Sequence, residues 1–277
     1  MKSYELSICI PTYNQVSHLK KTIDSLIEQT YQNFELIISD DSTTDYVREL
    51  INSYRLFFGE RLSYFHNKPS LGAPKNWNYA ISLSKGKWVK LMHHDDWFYT
   101  SDALEKLVLK AILNPNAIIF AGIKGEFVQD NRKYQNLPSQ YSIDKIKIDP
   151  FSLVWANIIG PPSTIIFPRI NIAFDKKLIW LVDIEFYIQL LINLNFDLVY
   201  IEEILFENNP DDHNITNACF QNKSLELKEF TYIFKKYNPN PNIKEVYKFL
   251  KNLKSHLSTY SKTSFLEVLI FYLKNKS

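Results

Sequence analysis

Apolar and polar positions switch between two periods along the first hundred residues. Leu6-Ser-Ile-Cys-Ile-Pro11 is a short apolar run stopped by proline, and Leu19 to Gln29 then places apolar residues at 19, 23, 26 and 27, the spacing of one helix face. The pair reads as a βα unit. Phe34-Glu-Leu-Ile-Ile-Ser39 repeats the strand, Val47 to Phe57 the helix, Leu62 to Phe65 a third strand, Trp77 to Leu83 a third helix and Trp88 to Met92 a fourth strand. Such repeats predict an α/β protein built on a mainly parallel, doubly wound sheet. Ligands of such sheets bind beyond the carboxyl ends of the strands. The segments that matter are therefore Pro11-Thr-Tyr-Asn14, Asp40-Asp41-Ser42, Asn67 to Asn76 and His93 to Asp96.

Composition limits what those strand ends can do. With 277 residues, 45% hydrophobic and 22% charged, the chain can bury a full core, as one α/β domain with an appendage. A formal net charge of +2 is too mild for nucleic-acid binding through bulk electrostatics, so no nucleic-acid partner is expected. Cys9 and Cys219 are the two cysteines, and Cys9 lies in an apolar strand, which fits a reducing compartment rather than a disulfide framework. No apolar run reaches the roughly 18 to 20 residues that span a bilayer, and the N-terminus lacks the layout of a signal peptide. A cytoplasmic protein is expected.

The strand ends share a chemistry. Asp95 and Asp96 close the fourth strand with no basic residue beside them in the sequence, and paired carboxylates there suit a hard divalent cation, Mg²⁺ or Mn²⁺, that keeps positions open for phosphate. A helix N-cap is the plainer explanation, because Ser101-Asp102 and a helical pattern follow. Tyr13 offers a ring on which a base could stack, Thr12 and Asn14 offer hydrogen-bonding groups, and Asp40 and Asp41 offer acceptors for a base N–H or ribose hydroxyls. Lys75 and Asn76 supply a cation and a donor for a diphosphate near a helix start. Each segment also reads as an ordinary turn, but four at successive strand ends point to a nucleotide site.

The run Leu6-Ser-Ile-Cys-Ile-Pro-Thr-Tyr-Asn14, then Ser25 to Tyr31, Phe34 to Asp45, Asn67 to Gly72, Gly86 to Asp96, Ile159-Gly-Pro-Pro-Ser163 and Phe167-Pro-Arg169 resembles the family 2 glycosyltransferases. The resemblance covers roughly residues 4 to 217. It implies the GT-A fold, Rossmann-like in its first half, and inverting sugar transfer from a nucleotide-sugar donor. By the same resemblance, Pro11 to Asn14 border the nucleotide, Tyr13 stacks on the base, Asp40 reads it, and Asp95 and Asp96 hold the metal. His93 stands where the family's metal motif usually begins with an aspartate, leaving the cation to Asp95 and Asp96 unless the imidazole ligates. A UDP-sugar is the expected donor, and a glycan or lipid-linked molecule the expected acceptor.

Trp180 to Leu191 reads as a helix with an apolar stripe at 184, 187, 188 and 191, which places Asp183 in its first turn. The resemblance makes Asp183 the catalytic base, with Val182 in the family's preceding acidic position and Glu185 as a second candidate. Asp211 to Thr216 is similar to the family's histidine-bearing loop, so His213 is a candidate for the metal or diphosphate. No nucleophilic Ser or Cys paired with His is evident.

Beyond residue 220, Leu225 to Tyr237, Ile243 to Leu257 and Phe265 to Leu273 form lysine-rich helical patterns. The division expected is a catalytic domain over 1–220 and a helical appendage over 221–277. That appendage reads as a docking element for an anionic membrane, or as a helical cap or homodimer contact. A sugar nucleotidyltransferase should instead open with a glycine-rich phosphate loop, where this chain has Pro11-Thr-Tyr-Asn14. A non-catalytic nucleotide-sugar-binding protein stays open, because His93 and Val182 both depart from the family pattern.

Overall fold

The computed structural model describes residues 4–127, 132–209, 219 and 221–275. The first half follows the predicted repeats: β1 (Leu6–Thr12), α1 (Val16–Ile27), β2 (Phe34–Asp40), α2 (Tyr46–Phe58), β3 (Leu62–His66), α3 (Lys75–Ser82) and β4 (Trp88–Leu91). Every residue of β1 and β2 is buried, which is why both read as continuous apolar runs. Leu6, Ile8 and Ile10 face α1 and α2 in one hydrophobic cluster, while Cys9 faces a second cluster that includes Ala80 of α3. Cys9 and Cys219 are both free thiols.

After β4 come β5 (Asp96–Phe98), α4 (Ala103–Leu113), β6 (Ala117–Glu126), β7 (Lys133–Asn136), α5 (Gln140–Ile148), β8 (Ile165–Pro168), α6 (Val182–Ile188) and β9 (Asp197–Asn208). Among the described residues these strands make one nine-stranded sheet, ordered β3-β2-β1-β4-β8-β6-β9-β5, with β7 paired to β6. The half carrying the predicted nucleotide segments is parallel, through β1–β2, β1–β4 and β2–β3. The other half is mixed. There β6–β9 is parallel, but β4–β8, β6–β8, β6–β7 and β5–β9 are antiparallel. The parallel part is thus smaller than expected, because β5 and β8 are too short to carry a period and join through ladders that local sequence does not record.

The last three helices are α7 (Lys223–Tyr237), α8 (Ile243–Leu257) and α9 (Phe265–Lys274), each close to its predicted span. Asn242 caps α8 through a full capping box with Glu245. Phe230, Phe234, Phe249, Leu253 and Val268 of these helices belong to the same hydrophobic cluster as Val182 and Phe186 of α6. Glu229 strengthens that seam by accepting the backbone N–H groups of Ile179, Trp180 and Leu181 at 2.6, 3.1 and 2.9 Å. No helix among the described residues is long and apolar enough to cross a membrane.

Candidate active site

The loops after β1 and β2 are tied together. Asn14, with φ 56°, donates its N–H to Ser42 Oγ at 2.8 Å, and its own Oδ1 accepts the Thr43 N–H at 3.1 Å. That leaves Tyr13 half exposed at the lip, with Pro11 and Thr12 buried below it. Asp40 is wholly buried: Oδ1 accepts the Ser42 N–H at 2.8 Å and Oδ2 the Tyr64 hydroxyl at 2.6 Å. Helix α2 starts only at Tyr46, so neither Asp40 nor Asp41 is its N-cap.

Two residues expected to touch the nucleotide are spent on the loop. Asp41 accepts Asn67 Nδ2 at 2.8 Å and the N–H groups of Leu71 and Gly72 at 3.1 and 2.7 Å, which pins the segment after β3. Asn76 is buried, donating Nδ2 to the Ser39 carbonyl at 3.0 Å and accepting from Ser39 Oγ and Asn67 Nδ2. Buried amides are satisfied by such bonds, so Asn76 shapes the wall and does not face a ligand. Lys75 is exposed as the first residue of α3, where a helix start and an ammonium group together favour an anion.

Beyond β4 the chain turns through His93, His94 and Asp95 into β5, and α4 begins only at Ala103, so Asp95 and Asp96 are not helix caps. Thr22 of α1 holds this turn, its Oγ1 lying 2.7 Å from the His94 carbonyl and 2.9 Å from that of Asp96. Ser163 Oγ accepts the His93 N–H at 2.8 Å. One ligand atom each from His93, Asp95 and Asp96 lies within 4.8 Å of the others. The sequence left the His93 imidazole open as a third ligand, and the fold brings it within reach of both carboxylates.

Burial pushes the His93 imidazole down to about 4 against the attraction of Asp95, so at neutral pH it keeps a free lone pair. Among the described residues, its Nε2 is buried without a hydrogen-bond partner. Burial, and then the neighbouring Asp95, push the Asp96 carboxyl up to about 7, while Ser163, Asn208 and Lys90 oppose that rise. An orphaned imidazole nitrogen beside two carboxylates fits a divalent cation, and the mixed donor set suits Mn²⁺ at least as well as Mg²⁺.

A basic residue absent from beside these carboxylates in the sequence is brought near them by the fold. Lys90, fully buried in β4, bonds the Ser163 carbonyl and lies 4.1 Å from the Phe206 ring centroid. Burial pushes its ammonium well below the ordinary lysine range, and Asp96 pulls it back. Asp96 also has a partner on the far strand. Asn208, opposite it in the β5–β9 ladder, donates Nδ2 to Asp96 Oδ1 at 2.9 Å, and Tyr134 of β7 donates its hydroxyl to Asn208 Oδ1.

Asp183 sits in the first turn of α6, as expected. Its Oδ1 accepts the Ile184 N–H at 2.8 Å and its Oδ2 accepts Asn157 Nδ2 at 3.0 Å. Burial pushes its carboxyl up to about 6, although Ile184 and Asn157 favour the ionised form. Tyr187, one turn on, is buried, donates to the Gly160 carbonyl at 3.0 Å and is pushed well above the ordinary phenol range by burial, Asp183 and Asp96. The base candidate and the carboxylate cluster therefore act on one tyrosine.

Glu185 is a correction: it is wholly buried on the other side of α6, its Oε1 accepting the Tyr237 hydroxyl at 2.6 Å and pairing with Lys236 at 2.7 Å. It anchors the C-terminal helices and cannot serve as the base. His213 lies outside the described residues.

The family model described as "Glycosyl transferase family 2" matches residues 7–171. The chain belongs to this family. An uncharacterized glycosyltransferase of Rickettsia typhi, RT0329, is 28% identical over 231 residues, covering 81% of this chain and 69% of that protein. The Escherichia coli protein WfaP, named UDP-Glc:alpha-D-GlcNAc-diphosphoundecaprenol beta-1,3-glucosyltransferase, is 33% identical over 96 residues, 35% of this chain and 37% of that one. The crystal structure of S. aureus TarS 1-349 in complex with UDP-GlcNAc superposes with a TM-score of 0.68 at 18% identity, covering 92% of this chain and 73% of that one. The fold is therefore GT-A, with a helical C-terminal part. The chain spans between 22% and 69% of the length of the first curated relatives it matches.

Within a family 2 chain, Asn157, Tyr134, Asn208, Lys90 and Tyr187 are site residues whose roles sequence reading missed. Asn157 had one signal, its place just before the Ile159-Gly-Pro-Pro-Ser163 motif; Tyr134 and Asn208 had none.

Proposed function

We propose that this protein transfers a sugar from a nucleoside-diphosphate donor, a UDP-sugar, to a hydroxyl of a glycan or lipid-linked acceptor, with inversion at the anomeric carbon. The observation that carries the reading is Asp183, held by Asn157 and Ile184 in the first turn of α6 and raised to about 6 by burial. A base should have a value near the working pH, and this carboxyl is both ionised and basic enough to accept a proton at neutrality. The donor class is supported by the UDP-GlcNAc bound to TarS and the UDP-Glc in WfaP's name. WfaP's name also supports a lipid-linked acceptor.

In this reading Tyr13 stacks on the uracil, the buried Asp40 accepts its imide N–H through Oδ2 in place of the Tyr64 hydroxyl, and Lys75 meets the diphosphate. His93, Asp95 and Asp96 would hold a divalent cation, which when bound supplies positive charge against the leaving diphosphate. Asp183 takes the proton of the acceptor hydroxyl as that oxygen bonds the anomeric carbon. The carbon–oxygen bond to the diphosphate breaks on the opposite face, and its electron pair leaves with the nucleotide.

Calorimetry with UDP tests the site. UDP should bind the wild type in Mn²⁺ and weaken at least tenfold in EDTA, and Asp96→Asn should bind equally weakly in both. Equal UDP affinity with Mn²⁺ and with EDTA in the wild type would overturn the metal-assisted reading.

A further inference from the structure

Charge is not spread evenly along this chain. Residues 221–277 hold eleven lysines and four glutamates, with no arginine or aspartate, a formal +7 against +2 for the whole sequence, so residues 1–220 carry −5. Some of these lysines are spent inside the fold: Lys236 pairs with Asp175 and Glu185, and Lys223 with Glu267. Lys244, Lys248, Lys251, Lys262 and Lys274, by contrast, are all exposed.

The same helices leave apolar surface uncovered. Helix α9 reads Phe-Leu-Glu-Val-Leu-Ile-Phe-Tyr-Leu-Lys, apolar on every side except at Glu267 and Lys274. Val268 and Tyr272 are buried against the protein, while Leu266, Ile270 and Leu273, spaced i, i+4, i+7, form a stripe on the opposite side that is 63, 42 and 45% exposed. Tyr247 of α8 is also exposed and packs its ring 5.6 Å from Phe265, and Ile243 stands exposed one turn before it. A helix that is apolar all round normally has something against each face.

We propose that the α8–α9 face docks on a bilayer surface rich in anionic phospholipid headgroups, the Leu266–Ile270–Leu273 stripe entering the acyl boundary and the exposed lysines of α8 and α9 lying at headgroup level. Apolar residues rimmed by lysines are the composition that binds such surfaces, each lysine near the surface adding to the attraction. A second copy of this chain fits poorly, because an isologous contact would press two +7 segments together. The rest of the molecule, at −5, is repelled by the same surface, which orients the protein with these helices down. Docking would also set the height of the site. Glu229 and Glu185 bind α7 to the start of α6, so Asp183 is held rigidly relative to the docked face.

The test uses the full chain and needs no sugar transfer, so its failure leaves the transferase reading untouched. Sedimentation with vesicles of phosphatidylglycerol and phosphatidylcholine should carry the protein down, vesicles of phosphatidylcholine alone should not, and added salt should release much of it. Removing four charges by Lys244→Gln, Lys248→Gln, Lys251→Gln and Lys262→Gln should weaken partitioning by roughly two to three orders of magnitude. Leu266→Gln with Ile270→Gln should weaken it at least tenfold with the charge unchanged. All six positions are exposed, so melting temperature and UDP affinity should stay at wild-type values. Equal binding to both vesicle types, or no binding to either, would overturn the proposal. So would a solution dimer that Leu266→Gln and Ile270→Gln dissolve while vesicle binding is unaffected.

Discussion

Asp183→Asn removes proton acceptance while keeping the size of the side chain, and the surroundings of Asp183 set how large each effect should be. The wild-type carboxyl, at about 6, is roughly one-tenth ionised at pH 5 and nine-tenths ionised at pH 7. Turnover should therefore climb about ninefold over that interval and level off above it. The variant should lose about 10²- to 10⁴-fold in kcat, the usual contribution of a general base, with donor affinity little changed, and its rate should lack the acid limb. Stability moves the other way. The folded value lies above the ordinary 3.8, so this group's stabilising contribution is fully present below about pH 4 and is lost as the pH rises through 6. At ~1.4 kcal/mol per tenfold the ceiling is about 3 kcal/mol, and partial exposure reduces it to about 1–2 kcal/mol. The asparagine gives back about 1 kcal/mol, because Asn157 is oriented by the Ile159 and Gly160 N–H groups and would offer its NH₂ to another NH₂. Wild type minus variant, measured by urea unfolding, should thus favour the wild type at pH 4 and shrink toward pH 7. Near wild-type turnover in the variant, or an acid limb that survives in it, would refute the assignment of Asp183.

Three other outcomes follow from particular contacts. Tyr134→Phe leaves Asn208 Oδ1 without its donor and frees the amide that holds Asp96, so Mn²⁺ affinity measured by titration should fall roughly 10- to 100-fold while the melting temperature changes little. Glu185→Gln should cost ~1–3 kcal/mol of stability in urea unfolding by weakening the Lys236 and Tyr237 contacts, yet leave kcat in place, since the side chain faces away from Asp183. In a competition titration UDP should outrank GDP; if GDP binds more tightly, Asp40 is not reading a uracil imide.

How much was legible in the sequence depends on how locally each feature is written. Strands β1, β2 and β4 show as apolar runs because both their faces are buried, and the nucleotide segments follow from where the strands end. Asp41 and Asn76 show the limit of that reasoning: residues with the right chemistry, just past the right strands, are spent on holding their loop in shape. The antiparallel half of the sheet was not readable, since β5 has three residues and pairs with β9 about 110 positions away. The Tyr134–Asn208–Asp96 chain is hidden for the same reason. Lys90 did leave a trace, a charge inside an otherwise apolar strand, and buried lysines are rare enough that such a residue signals a partner in the fold.

The central claim is single displacement at the anomeric carbon by an acceptor hydroxyl that Asp183 deprotonates. The measurement that meets it most directly is NMR of the linkage formed by the wild-type protein with a UDP-sugar and a working acceptor, read from the anomeric proton coupling before any mutarotation. An anomeric configuration opposite to that of the donor is the predicted result. A product that keeps the donor's configuration would contradict the account.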